Sequence, residues 1–236
     1  VQALNNGKNV FVEKPLALTK DQLKEVKAAY EKSNQILMVG YNRRFSPHIL
    51  KMKSLIDNVK EPKTINMTMN AGYIPKSHWT QSNEIGGGRI IGEACHYIDL
   101  MRHLVGHCIE SYTAIRINDN KYTETSEDKA IITLKFSDGS IGSIQYFANG
   151  GKQFPKERIE IFCNDGVLQL NNFLELKGYG WSGFKSKRTF IQDKGQKNCV
   201  NQFLKAIKDG RSSPIPDSEI FEVAAISIDI AQSLRE

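Results

Sequence analysis

The sequence predicts an α/β segment over residues 1–41 followed by an α+β domain over residues 42–236. Three observations carry that expectation. Two short apolar runs, Asn9–Glu13 and Ile36–Gly40, flank a helical pattern within about thirty residues, the length of a strand–helix–strand unit. Asp138-Gly139 and Asp165-Gly166 each separate two alternating runs, the strongest short-range hairpin signal. Two helical patterns close the chain, with Pro214 and Pro216 between them.

The first helix opens at Thr19, with Gln22 three residues on in capping-box spacing, and carries Leu23, Val26 and Tyr30 on one stripe. Strands as continuously apolar as the flanking pair belong to parallel sheets covered on both faces. Two parallel strands do not make a stable sheet alone. The expectation is therefore the remnant of a larger parallel sheet, in a chain that is a fragment and starts without Met.

Ser46-Pro47 is an N-cap with proline at the first helical position, and Ile49, Met52, Ile56 and Val59 form the buried stripe that follows. Ile65, Met67, Met69 and Ala71 alternate as a strand. Ala94, Ile98, Met101 and Val105 mark a helix closed by Gly106. Ala130–Phe136 with Ile141–Phe147, and Ile159–Cys163 with Val167–Leu170, read as hairpins of a large, mostly antiparallel open sheet. The last helices are expected at about Gln196–Asp209 and Ser218–Leu234.

Composition narrows the function classes. Of the 236 residues 40% are hydrophobic and 25% charged, the mix of a soluble globular protein. The longest apolar runs, such as Ile36 to Val39, are too short to span a membrane, and no signal peptide is read at the start. Cys95, Cys108, Cys163 and Cys199 do not pair at metal-ligand spacing, so no metal site is expected and a reducing, cytoplasmic setting is. The net charge of +6 is spread along the chain, its densest cluster being Lys185, Lys187 and Arg188. That pattern fits a solvated surface, or attraction of a phosphorylated or nucleotide-linked substrate, better than a nucleic-acid partner.

Two clusters stand where chemistry belongs. Glu13-Lys14-Pro15 and Gly40-Tyr41-Asn42-Arg43-Arg44 follow the two parallel strands, and open parallel sheets bind ligands beyond their carboxyl ends. Gly86-Gly87-Gly88-Arg89 leads into a helix carrying Glu93, His96 and Asp99 at a spacing of three, which puts them on part of one helical face. Histidine is the usual acid–base group near neutral pH. Against this stand the plainer readings of polar strand ends and a surface helix. Tyr73 and His78-Trp79 lie in the loop before the glycines and suit either stacking on a sugar or packing the loop down. Gly178-Tyr179-Gly180-Trp181-Ser182-Gly183 matches a dinucleotide-binding glycine pattern but leads into a strand, and reads as a strand connection. His48, His103 and His107 read as structural.

These motifs, GKNVFVEKPLALT, VGYNRRFSP and GGGRIIGEACHYID, resemble the glucose–fructose oxidoreductase / inositol dehydrogenase / rhizopine catabolism (Gfo/Idh/MocA) family along the whole chain. The chain looks especially like the C-terminal portion of members in which a zinc-type alcohol dehydrogenase region precedes the family module. The resemblance implies a Rossmann domain, NAD or NADP, and hydride transfer at a hydroxyl of a sugar, polyol or sugar nucleotide. It implies a homo-oligomer through the open sheet. The phosphate-binding glycine loop is absent from this chain, so the chain alone is expected to be inactive. Lys14 takes the place of the family lysine near the nicotinamide, and Glu13, Pro15 and Arg43 shape the cofactor edge, with Lys14–Pro15 a candidate cis bond. His96 takes the acid–base place. Tyr73, Trp79, Arg89, His96 and Asp99 are the expected substrate contacts. Where many members have an aspartate four residues before the histidine, this chain has Gly92. Helical spacing then nominates Glu93 as the partner of His96, with Asp99 the competitor. The alternative to an enzyme is a non-catalytic substrate-binding or oligomerisation module.

Overall fold

A computed structural model describes residues 1–119, 121–122 and 127–236. A short helix, α1 (Gln2–Asn5), precedes β1 (Val10–Val12), α2 (Lys20–Glu31) and β2 (Leu37–Val39). β1 and β2 pair in parallel, Val10 opposite Leu37 and Val12 opposite Val39. Thr19 Oγ1 accepts from the Gln22 N–H at 3.2 Å. Gln22 Oε1 in turn accepts at 2.9 Å, but from the N–H of Leu18, one residue before the N-cap.

Past β2 the chain turns through one 3-10 segment, Asn42–Phe45, into α3 (Pro47–Ile56), which Ser46 caps. Then come β3 (Thr64–Asn70), a π-helical segment at Ile90–Ala94, α4 (Cys95–Val105) and β4 (Ile109–Arg116). The expected helix start at Ala94 thus falls inside a π-helical turn, and periodicity of 3.6 does not describe that stretch. β5 (Lys129–Phe136), β6 (Ile141–Phe147), β7 (Glu157–Cys163), β8 (Gly166–Asn171), β9 (Glu175–Tyr179) and β10 (Ser186–Arg188) follow, then α5 (Gln196–Lys208) and α6 (Asp217–Ser233).

The large sheet has the order β10-β9-β8-β7-β3-β6-β5-β4. β3 runs parallel to β6, and the other pairings are antiparallel. Ile65, Met67 and Met69 of β3 are fully buried, as their alternation requires. The glycine-rich Gly178–Gly183 stretch ends β9 and turns into β10, so it is a hairpin connection.

Residues of both segments share one hydrophobic core: Leu23, Met38 and Val39 belong to the same cluster as Met101, Ile144 and Ile228. α6 causes this, packing against α2, β2, α4 and β4 together. Burying each such aliphatic side chain contributes about 1.5–3 kcal/mol, so α6 ties β2 and the π-helical turn into one core. Among the described residues no helix is long and apolar enough to cross a membrane, and no cluster of metal-ligating side chains occurs.

Candidate active site

Lys14 leaves the end of β1, follows Glu13 and precedes Pro15 through a cis peptide bond. Its Nζ donates a hydrogen bond to the Gly92 carbonyl. That contact joins the parallel pair to the turn that leads into the helix carrying His96. Glu13 is exposed and lies against Gly40, where a Cβ would sit 2.9 Å from its carboxylate. A small cavity of about 140 Å³ opens at this junction, lined by Lys14, Pro15, Trp79, Arg89, Gly92 and Glu93 among others.

The glycines before the turn are needed for its path. Gly87 and Gly88 both have φ of +74°, a region L side chains rarely enter. A Cβ on Gly86 would meet the Trp79 carbonyl oxygen at 2.6 Å. The triple glycine therefore folds the Trp79 loop down onto the start of the π-helical turn. Trp79 remains 61% exposed and reaches the cavity, whereas Tyr73, 60% exposed, does not line it.

His96 is buried, with its ring edge-on to Tyr41 at 6.2 Å and its Nδ1 without a hydrogen-bond partner. Burial, with Arg43, Lys14, Lys194 and Lys156 nearby, presses its pKa well below the ordinary 6.5. The imidazole is neutral at physiological pH.

The expected carboxylate partners of His96 are engaged elsewhere. Glu93 accepts from Arg89 at 2.6 Å, Tyr146 Oη at 2.5 Å and Lys156 Nζ at 3.0 Å. Burial opposes its charge, but Lys156, Arg89 and Tyr146 outweigh it and take the carboxyl down to about 2. Glu93 lies in the π-helical turn and His96 in the α-helix after it, so the regular 3.6-residue spacing does not hold between them. Asp99 is fully buried and accepts from Arg44 Nε at 2.8 Å and Nη2 at 2.6 Å. Asp99 is not among the residues that line the cavity.

Arg43 is also turned inward. Its Nη2 donates to Glu157 at 2.8 Å and to Tyr97 Oη at 3.2 Å, and its guanidinium lies 4.8 Å from the Tyr97 ring centre. At 6% exposure it acts on the site through its charge rather than by reaching outward from the strand end. Arg89 holds the loop, donating to the Gly72 and Ala71 carbonyls at 2.7 and 3.2 Å.

Several residues were invisible to the sequence reading. Tyr146 arrives on β6, Lys156 and Glu157 at the start of β7, and Lys194 from the loop before α5. Lys194 Nζ donates to Glu157 at 3.2 Å. The connection from β1 to α2, residues 13–19, contains no glycine.

This combination, a parallel pair leading into an open antiparallel sheet with lysine and histidine at their junction, has close counterparts among known proteins. The profile described as "GFO/IDH/MocA C-terminal domain" matches residues 49–169, and that described as "Oxidoreductase family, NAD-binding Rossmann fold" matches residues 1–41. The chain belongs to the GFO/IDH/MocA oxidoreductase family. It is 34% identical over 154 residues to scyllo-inositol 2-dehydrogenase (NAD(+)) of Bacillus subtilis, covering 61% of this chain and 43% of that protein. It is 25% identical over 173 residues to myo-inositol 2-dehydrogenase of Thermotoga maritima, covering 71% and 51%. The chain thus spans about half the length of the curated relatives it matches. Levoglucosan dehydrogenase in complex with NADH and levoglucosan superposes with a TM-score of 0.82 at 22% identity, over 98% of this chain and 73% of that one, and so shares the fold.

Proposed function

We propose that this chain supplies the reacting edge and substrate-binding domain of an NAD(P)-dependent oxidoreductase acting on a hydroxyl of a sugar, polyol or sugar nucleotide. The observation that carries this reading is the Lys14–Gly92 contact, which brings the end of a parallel strand against the turn leading to a buried, neutral His96. The related inositol dehydrogenases and the NADH-bound levoglucosan dehydrogenase support the class.

The residues present fit the nicotinamide end of the cofactor and not its phosphates. Glu13, Lys14 and Pro15 stand at the carboxyl edge of β1, and His96 Nδ1 is buried without a partner beside them. The glycine-free β1–α2 connection leaves the pyrophosphate to other residues, so residues 1–236 alone bind NAD(H) or NADP(H) weakly. A bound nicotinamide supplies the hydride acceptor. Lys14 Nζ donates to the reacting oxygen and stabilises negative charge as it develops there. His96, neutral, offers an imidazole lone pair for the hydroxyl proton. Trp79 stacks over the sugar from the cavity rim, Arg89 fixes that loop, and Arg43 works by its charge alone. Residues 42–236 form the substrate domain. The open sheet face, with Asn66, Thr68 and Gln145 half-buried on it and Phe162 exposed, pairs with a second copy.

Lys14→Ala tests the reading in the gene product that carries this sequence. Turnover at saturating substrate should fall about 100-fold or more, as for loss of one oxyanion-stabilising donor, with the unfolding midpoint little changed. A wild-type rate removes Lys14 from the chemistry.

A further inference from the structure

Four elements that are far apart in sequence bring cations close enough to His96 to act on its charge. Lys14 comes from the end of β1, Arg43 from the turn after β2, Lys156 from the start of β7 and Lys194 from the loop before α5. Arg89 adds a fifth at the cavity wall. The carboxylates that answer them are fewer. Glu93 is shared by Arg89 at 2.6 Å and Lys156 at 3.0 Å, and Glu157 by Arg43 at 2.8 Å and Lys194 at 3.2 Å. Lys14 donates to a carbonyl, and among the described residues it forms no ion pair. Asp128 is held by Lys129 at 2.5 Å, and Glu13 turns against Gly40.

Lys194 is not a solvated surface lysine. Its side chain is 16% exposed, and its Nζ lies 5.9 Å from the Phe173 ring centre. Its loop is fastened to the turn after β2: Asn42 Nδ2 donates to the Lys194 carbonyl and Ser46 Oγ to the Asp193 carbonyl, both at 2.7 Å. A lysine ordered this way has lost side-chain entropy and part of its hydration, against which stand the Phe173 ring and a share of Glu157. Lys14, Arg89 and Glu93 line a cavity, and Lys156 reaches that Glu93 at 3.0 Å; among the described residues the buried His96 Nδ1 has no hydrogen-bond partner. An excess of cations in a partly dry cleft is the arrangement that binds and concentrates an anion.

We propose that the substrate is anionic, a sugar or polyol derivative bearing a carboxylate or a phosphate, held beside His96 by Lys14, Lys156 and Lys194. This rests on the oxidoreductase reading and names the substrate class of that same site. It also accounts for how His96 serves as a base. Burial first, and then the cations around it, depress its basicity, and an anion seated among those cations raises it again.

Calorimetric titration of the gene product carrying this sequence tests the proposal. The ligands are D-glucuronate, D-glucose 6-phosphate and D-glucose, each with and without saturating NADH. At least one anion should bind about tenfold or more tighter than glucose, the worth of one charge-assisted contact. The tighter of the two anions distinguishes carboxylate from phosphate. Lys156→Met and Lys194→Met should each weaken that anion about tenfold, with Lys194→Arg restoring it. Lys156, at 42% side-chain exposure, tolerates replacement, so it decides the matter if Lys194→Met fails to fold. NADH binding with glucose equal to both anions, or with neither anion bound, overturns the anionic substrate and leaves the oxidoreductase standing. Anion preference without any NADH binding does the reverse. Anion affinity unmoved by both lysine variants removes the assignment to this site.

Discussion

Glu93 illustrates how one carboxylate is claimed by its surroundings. Its three donors come from the preceding turn (Arg89), β6 (Tyr146) and β7 (Lys156), so it ties the π-helical turn to the sheet. Glu93→Gln removes the charge while keeping the shape and leaves Arg89, which is 3% exposed, without its counter-charge. The variant should lose about 1–3 kcal/mol of stability, read as a lower urea midpoint. An unchanged midpoint with a shifted His96 titration would instead restore Glu93 as the histidine's partner. At this scale the sequence was informative about which residues gather and poor about which pair. Lys14, Trp79, Arg89 and Glu93 do line one cavity. The pairing of Glu93 with residues 53 and 63 positions away has no signature in local spacing. A π-helical turn erases the one spacing rule that was available.

Periodicity is a local property, and the elements that depend on it were legible. The capped starts of α2 and α3, the alternation in β3 and the two Asp-Gly hairpins all stand at the expected places. The fastening of one loop to another was not, because it depends on a single close approach. Gly195 has φ of +85°, and a Cβ there would lie 2.5 Å from the Phe45 carbonyl carbon and the Ser46 nitrogen. Gly183 has φ of +75° with nothing within 4 Å, so it isolates the backbone cost from the clash. Gly183→Ala should cost about 1–2 kcal/mol from the left-handed backbone alone. Gly195→Ala should cost clearly more, since the loop must part from the turn after β2 and carry Lys194 away from Glu157. Equal urea midpoints for the two variants would show that the loop is not fastened there.

Across the whole molecule, charge burial sets the response to acid. His48, His96 and His103 all have pKa values lowered first by burial, His103 to about 3 from an ordinary 6.5. The unfolded chain therefore binds more protons than the folded one below 6.5, and stability falls as pH drops from there toward the folded values. Each histidine that stays neutral costs up to about 1.4 kcal/mol per pH unit in that window. Asp99, lifted by burial to about 6 against the pull of Arg44, takes up a proton in the folded state and offsets one of the three. Glu93 enters only below its ordinary 4.5. The urea midpoint should thus be lower at pH 5.5 than at pH 7.5, and an equal or higher one contradicts the buried, neutral histidines. The sheet types and the joining of two segments were readable from patterns that each segment carries. The single shared core was not, since it comes from α6 packing across both sheets. The proposed function puts Lys14 and His96 at the reacting edge of an NAD(P)-linked dehydrogenase. Its most direct test is the NAD(P)+-dependent oxidation of a panel of neutral and anionic sugars and polyols by the gene product carrying this sequence, beside its His96→Asn variant. The account predicts turnover on at least one of them, reduced about 10²–10⁴-fold in the variant while NADH binding is retained; a His96→Asn enzyme that turns over at the wild-type rate would contradict it.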